Sequence, residues 1–215
     1  MTACAVVPAY RAAPWVAQVV EGVRTAGLPC YVVDDGCPDG SGTVADAAGA
    51  VVLRHPQNRG KGAALRTGVR RARADGHDCV VALDADGQHD PASIPVLLQA
   101  ATEAELVIGC RRRDPRRMPW TRRCTNGSSS LLLSRICGRA LHDTQSGFRA
   151  YRGPALDLLP PDRDRYDAES EWLVRIARAG MRIVEVPIDT LYGPPSRYRA
   201  VRDTLLIAAV IVEHL

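Results

Sequence analysis

The sequence predicts an α/β fold: a doubly wound, mostly parallel sheet with helices on both faces. Two patterns carry this expectation. Apolar runs of strand length alternate with helix-period runs through the first half of the chain, and the apolar runs give way abruptly to Asp, Gly and Pro. Strands that alternate with helices pair in parallel through right-handed crossovers, and such sheets hold their ligands beyond the strands' carboxyl ends.

Taken in order, residues 3–8 read as a strand, 14–26 as a helix and 30–33 as a second strand ending at Asp34-Asp35-Gly36. A short helix falls within 40–49, a third strand at 50–54, a helix at 61–75, a fourth strand at 78–83 and a helix at 91–102. The strand at 106–109 closes the regular part. Beyond it come a loop at 111–123, rich in Arg and broken by Pro115 and Pro119, and an amphipathic helix at 128–138. The stretch 142–151 follows, then a helix at 167–179, a strand at 182–187 and a helical segment at 199–214. No repeat, low-complexity tract or linker divides the 215 residues, so one domain is expected.

Composition narrows the classes. An apolar share of 46% and a charged share of 24% belong to an ordinary globular protein. A net charge of +4 is too mild to argue for nucleic acid as a partner. The seven cysteines are scattered without a C-x-x-C pair, which points away from zinc and from a disulfide framework and toward a reducing cytoplasm. No signal-peptide pattern is visible, and no run approaches the ~20 apolar residues that a spanning helix needs.

The segment richest in chemistry is Asp84-Ala85-Asp86-Gly87-Gln88-His89-Asp90, directly after the apolar run 79–83. Side chains alternate along an extended chain, so Asp84 and Asp86 are expected to point the same way. Two carboxylates there suit Mg2+ or Mn2+ carrying nucleotide phosphates, although the motif alone reads equally well as an Asp-rich turn. Three more loops converge on the same sheet edge. Pro8-Ala9-Tyr10 follows the first strand, and Asp34-Asp35-Gly36 follows the second, its adjacent carboxylates needing polar groups such as base N–H or ribose hydroxyls to receive them. Asn58-Arg59-Gly60-Lys61-Gly62 opens a helix and resembles a phosphate loop without the Walker spacing, which leaves the helix N-terminus near a nucleotide.

In order, the chain carries Val7-Pro8-Ala9-Tyr10, Val32-Val33-Asp34-Asp35-Gly36, Asn58-Arg59-Gly60-Lys61-Gly62-Ala63-Ala64-Leu65 and Asp84-Ala85-Asp86-Gly87-Gln88-His89. Asp143-Thr144-Gln145-Ser146-Gly147-Phe148-Arg149 and Glu185-Val186-Pro187-Ile188 follow. Together they resemble a family 2 inverting glycosyltransferase of the Rossmann-like GT-A fold, and within it the dolichyl- or polyprenyl-phosphate sugar synthases. The resemblance implies a nucleotide-sugar-binding half at 1–110 and an acceptor-binding half at 111–215. It implies a nucleoside pocket lined by Pro8, Tyr10, Asp34 and Asp35 with Lys61 nearby, and a Mg2+ or Mn2+ ion held by Asp84, Asp86 and Gln88. It further implies that Arg149 reaches an anionic phosphate, the bland alternative being a surface Arg paired with Asp143. Glu169 and Glu171 would form an acidic pair near the acceptor, while Ser196 and Arg197 would close over the donor phosphates. One departure is Arg11-Ala12, where many relatives have Asn-Glu.

The expected reaction moves a hexose from a nucleotide diphosphate sugar, of GDP-mannose or UDP-glucose type, to polyprenyl phosphate at the inner face of the membrane. The arginines of 111–123, interrupted by Met118, Pro119 and Trp120, suit the acceptor phosphate and anionic head groups. The apolar run 205–212 reads as a peripheral membrane anchor, a homodimer seam or a core helix. Two alternatives stand beside this reading. One is the same donor chemistry with a hydroxyl acceptor, for which Glu169, Glu171 or Asp143 would serve as base; the other is an inactive donor-binding module.

Overall fold

A computed structural model describes residues 1–111, 130–160, 162–165, 167–189 and 213. Strands β1 (Ala3–Ala9), β2 (Cys30–Asp34), β3 (Val51–Arg54), β4 (Cys79–Ala82), β5 (Leu106–Arg111), β6 (Arg149–Arg152) and β7 (Ile183–Ile188) form one sheet in the order β3-β2-β1-β4-β6-β5-β7. β3, β2, β1 and β4 run parallel, as do β5 and β7, while β6 lies antiparallel between β4 and β5. The doubly wound, mostly parallel sheet is therefore present, with one reversed strand. That strand lies in the stretch 142–151, whose sequence had specified no element.

Alternation along each strand divides the core. Ala5, Val7 and Ala9 of β1, with Val81 and Val107, pack under α1 (Val16–Thr25), α2 (Ser41–Ala47) and α4 (Ile94–Ala101). Cys4, Val6, Val80, Leu106 and Ile108 face α3 (Lys61–Ala74) and α6 (Asp167–Arg178) on the other side. A further helix, α5, is described over 130–136. The expected helix at 91–102 splits into a 3-10 turn, Pro91–Ser93, and α4, because Asp90 caps the turn by accepting from the Ala92 amide at 3.0 Å.

The chain runs outward from β1 through β2 to β3 and then crosses the opposite face by α3 to reach β4 on the other side of β1. The direction of winding therefore reverses between β1 and β4, and the loops leaving these strands part there into a crevice. Because β6 is reversed, the loop that enters it, 141–148, reaches this same edge. Among the described residues no helix is long and apolar enough to cross a membrane. The loop 112–123, the expected helix beyond 199 apart from Glu213, and Ser196 and Arg197 lie outside the described residues.

Candidate active site

β4 ends at Ala82, and residues 85–86 form a turn rather than a continued strand. Strand alternation thus does not orient the two carboxylates; the turn does. Asp86 Oδ1 accepts from the Gln88 amide at 3.0 Å, which folds Asp86, Gly87 and Gln88 over the strand end. Asp84 instead points across the crevice to the start of α3, its Oδ1 2.6 Å from Lys61 Nζ. Lys61 Nζ is also 2.7 Å from Glu169 Oε2, in the first turn of α6. Two carboxylates from distant segments thus share one ammonium, whose side chain is 11% exposed.

Gly147 makes room for that triad. A Cβ at this position would stand 2.8 Å from both Asp84 Oδ2 and Lys61 Nζ, so no side chain fits. Burial by itself would raise the Asp84 pKa, but Lys61, His89 and Arg111 outweigh it and hold the carboxyl at about 2. His89 is 4% exposed, and its Nδ1 accepts from the Asp84 amide at 3.3 Å, which places the ring proton on Nε2. Burial pushes its pKa down to about 4, so the imidazole stacked on Phe148 is neutral near pH 7.

Arg149 departs from its expected role. It is 1% exposed, and its guanidinium donates to the carbonyls of Ser146 (2.8 Å), Glu169 (2.8 Å) and Thr144 (2.5 Å). It therefore does not reach out to a phosphate; it ties the loop before β6 to α6 and so positions Glu169. Nor is it a surface partner of Asp143. That place belongs to Arg111, which forks onto Asp143 through Nε (2.7 Å) and Nη2 (2.8 Å). Asp143 is fully buried in this fork, which leaves it poorly placed to act as a base, and Arg111 is committed there rather than to an acceptor phosphate. Glu171 points elsewhere too, pairing with Arg175 at 2.7 Å, since residues two apart on a helix face different ways.

The nucleoside-side residues fall at the ends of β1 and β2. Pro8 and Tyr10 are half-buried, and the Arg11 guanidinium lies 5.4 Å from the Tyr10 ring centroid. Asp34 Oδ1 accepts from the Cys37 amide at 2.8 Å. Asp35 is turned inward: Oδ1 takes the Arg59 amide (2.9 Å) and His55 Nδ1 (2.7 Å), and Oδ2 takes the Gly60 amide (2.7 Å). Asp35 thus builds the α3 entrance rather than facing a base. The amides of Gly62 and Ala63 are committed as well, both donating to the Asp164 carbonyl at 2.8 and 3.3 Å. The helix N-terminus is closed by protein, not open as a phosphate cradle.

Sequence reasoning missed the parts that hold these loops. Glu185 receives the amides of His142 and Asp143 (2.8 and 2.9 Å), and Arg66 grips the carbonyls of Pro160 and Arg163 and the Asp164 carboxylate. Glu185 stood in a quoted motif, but its partners lie far away in sequence. Asp84, Asp86 and Gln88 supply hard oxygens of the kind Mg2+ and Mn2+ take, and Asp84 already draws a cation to itself. Among the described residues no group of three or more His, Cys, Asp or Glu side chains is arranged to hold a metal ion, so any ion here would rest on the two carboxylates and the amide.

The family model described as Glycosyl transferase family 2 matches residues 4–159. An undecaprenyl-phosphate mannosyltransferase of Micrococcus luteus is 39% identical over 168 residues, spanning 73% of this chain and 69% of that protein. A UDP-N-acetylglucosamine–dolichyl-phosphate N-acetylglucosaminyltransferase of Methanococcus voltae is 30% identical over 219 residues, 90% of this chain and 87% of its own length. The glucosyl-3-phosphoglycerate synthase of Mycobacterium tuberculosis, solved with Mn2+, UDP-glucose and phosphoglyceric acid, superposes with a TM-score of 0.76. That likeness covers 99% of this chain and 79% of the other at 21% identity, and it is one of fold.

Proposed function

The chain belongs to glycosyl transferase family 2 and is a glycosyltransferase of GT-A fold, and on that premise we propose that it transfers a hexose from a nucleotide diphosphate sugar to polyprenyl phosphate. The observation that carries this reading is the crevice between β1 and β4, where Lys61, Asp84 and Glu169 meet beside the turn bearing Asp86 and Gln88. The named lipid-phosphate acceptors of two relatives support the acceptor class.

Asp84, Asp86 and Gln88 would hold a Mg2+ or Mn2+ ion, which supplies Lewis-acid charge against the departing diphosphate. The nucleoside lies over Pro8 and Tyr10 on the β1–β2 side, with Asp34 at its edge and Asp35 supporting the pocket from below. The half 1–110 serves the donor and 111–215 the acceptor, with Ser196 and Arg197 assigned to the donor phosphates. A lipid phosphate is already ionised at neutral pH, so alignment and charge stabilisation suffice and no general base is required. The reaction is placed at the inner membrane face, where such an acceptor is found.

A second reading has one observation in its favour. Glu169 Oε1 is buried without a hydrogen-bond partner, as the base for a hydroxyl acceptor would be before its substrate binds. A single assay separates the two. Purified protein, Mn2+ and radiolabelled GDP- or UDP-sugars are mixed with short polyprenyl phosphate in detergent. Label passing into the organic phase, and lost on adding EDTA, is the expected result. Metal-dependent donor hydrolysis without lipid product moves the acceptor to the hydroxyl class, and absence of nucleotide binding removes the transferase reading of the site.

A further inference from the structure

We propose that Lys61 is a built-in counter-cation, shared between Asp84 and Glu169 and shifted wholly onto Glu169 when a divalent ion takes Asp84. This rests on the metal reading above and adds to it a competition within the chain itself. Lys61 Nζ lies at 2.6 Å from Asp84 Oδ1 and 2.7 Å from Glu169 Oε2, so the ammonium already has both seats within reach. Its pivot is fixed, because Lys61 opens α3 and the next two amides are clamped by the Asp164 carbonyl. Its four-carbon stem can still rotate, and Gly147 leaves the space beside it without a side chain.

Glu169 is built to receive the charge. Arg149 holds its backbone carbonyl at 2.8 Å, while its second carboxylate oxygen, Oε1, is buried with no hydrogen-bond partner. A buried oxygen in that state is costly, and an ammonium moving fully onto Glu169 would satisfy it. An ammonium and a divalent ion cannot both sit on the same Asp84 carboxylate without strong like-charge repulsion in a crevice of lowered dielectric. The metal and Lys61 therefore compete for Asp84, and Glu169 sets how readily Lys61 yields. The negative charge of a nucleoside diphosphate would relieve that competition, so that metal and donor bind best together.

The test is Mn2+ binding to the full chain without nucleotide, read from the electron paramagnetic resonance signal of unbound Mn2+. Lys61→Met is expected to bind Mn2+ at least fivefold more tightly than the wild type, and Glu169→Gln, which weakens the alternative seat, less tightly. Adding GDP or UDP should narrow the gap between wild type and Lys61→Met. Should Lys61→Met not fold, Lys61→Gln replaces it, with a larger Mn2+-induced rise in Tm than the wild type as the expected result. Equal or weaker Mn2+ binding in the Lys61 variant, or tighter binding in Glu169→Gln, overturns the proposal. Asp86→Asn separates the two levels: Mn2+ bound undiminished in that variant overturns the metal reading itself, and the exchange falls with it.

Discussion

Two residues of the site illustrate opposite uses of charge. Asp86 sits half-buried on a turn and bonds locally to the Gln88 amide, so its removal should leave the fold intact. Asp86→Ala is expected to lower unfolding stability by less than about 1 kcal/mol while abolishing turnover. Arg149 is the reverse case. Replacing it with Met strips donors from three buried carbonyls, and each such loss costs roughly 1–3 kcal/mol, so a fall of at least about 3 kcal/mol is expected in urea unfolding. A stable Arg149→Met protein that lost only its use of phosphate acceptors would return Arg149 to the role its motif implied. His89 adds a pH dependence. Its folded pKa is about 4 against an ordinary 6.5, so between these values the unfolded chain binds a proton that the folded chain does not. Its contribution is fully present above pH 6.5 and is lost as pH falls toward 4. Unfolding stability should therefore decline with falling pH through that window, and His89→Gln should flatten the decline.

At the level of elements, the decisive piece is the start of α3. Asp35 ties Arg59, Gly60 and His55 together, and the Asp164 carbonyl caps Gly62 and Ala63, so the helix begins where β2 and the segment before α6 jointly place it. Asp35→Ala should loosen this entrance. The expected effect is a lower Tm together with a raised KM for the donor, since Lys61 stands at the first position of the helix. Unchanged Tm and KM would show that the entrance is held by other means. The helices and parallel strands were legible because their apolar periods are local, and Lys61, Asp84 and Glu169, singled out separately along the chain, are the side chains that the fold brings together. How those motifs engage one another was not. Asp35 looked like a ligand residue because two adjacent carboxylates require partners, and nothing within Asp34-Asp35-Gly36 shows that those partners are backbone amides of a later loop. Arg149 looked exposed for the same reason: its three carbonyl partners come from the 144–146 loop and from α6.

At the scale of the whole molecule, the site is a product of topology. The reversal of winding between β1 and β4 opens the crevice, and the antiparallel β6 brings 141–148 to its rim. α6 then lies against β6 through the Tyr151–Trp172 stack, with ring centroids 3.5 Å apart, and delivers Glu169 to Lys61. Reversal of a four-residue strand leaves almost no trace in sequence, which is why the stretch 142–151 carried no element assignment. The most direct measurement of the central claim is anomalous diffraction from crystals of the chain grown with Mn2+ and GDP or UDP. The expected result is one Mn2+ peak bounded by Asp84, Asp86 and Gln88, with the diphosphate on it and the nucleoside over Tyr10. A nucleotide bound in the crevice with Mn2+ absent from these three side chains, or seated elsewhere, would contradict it.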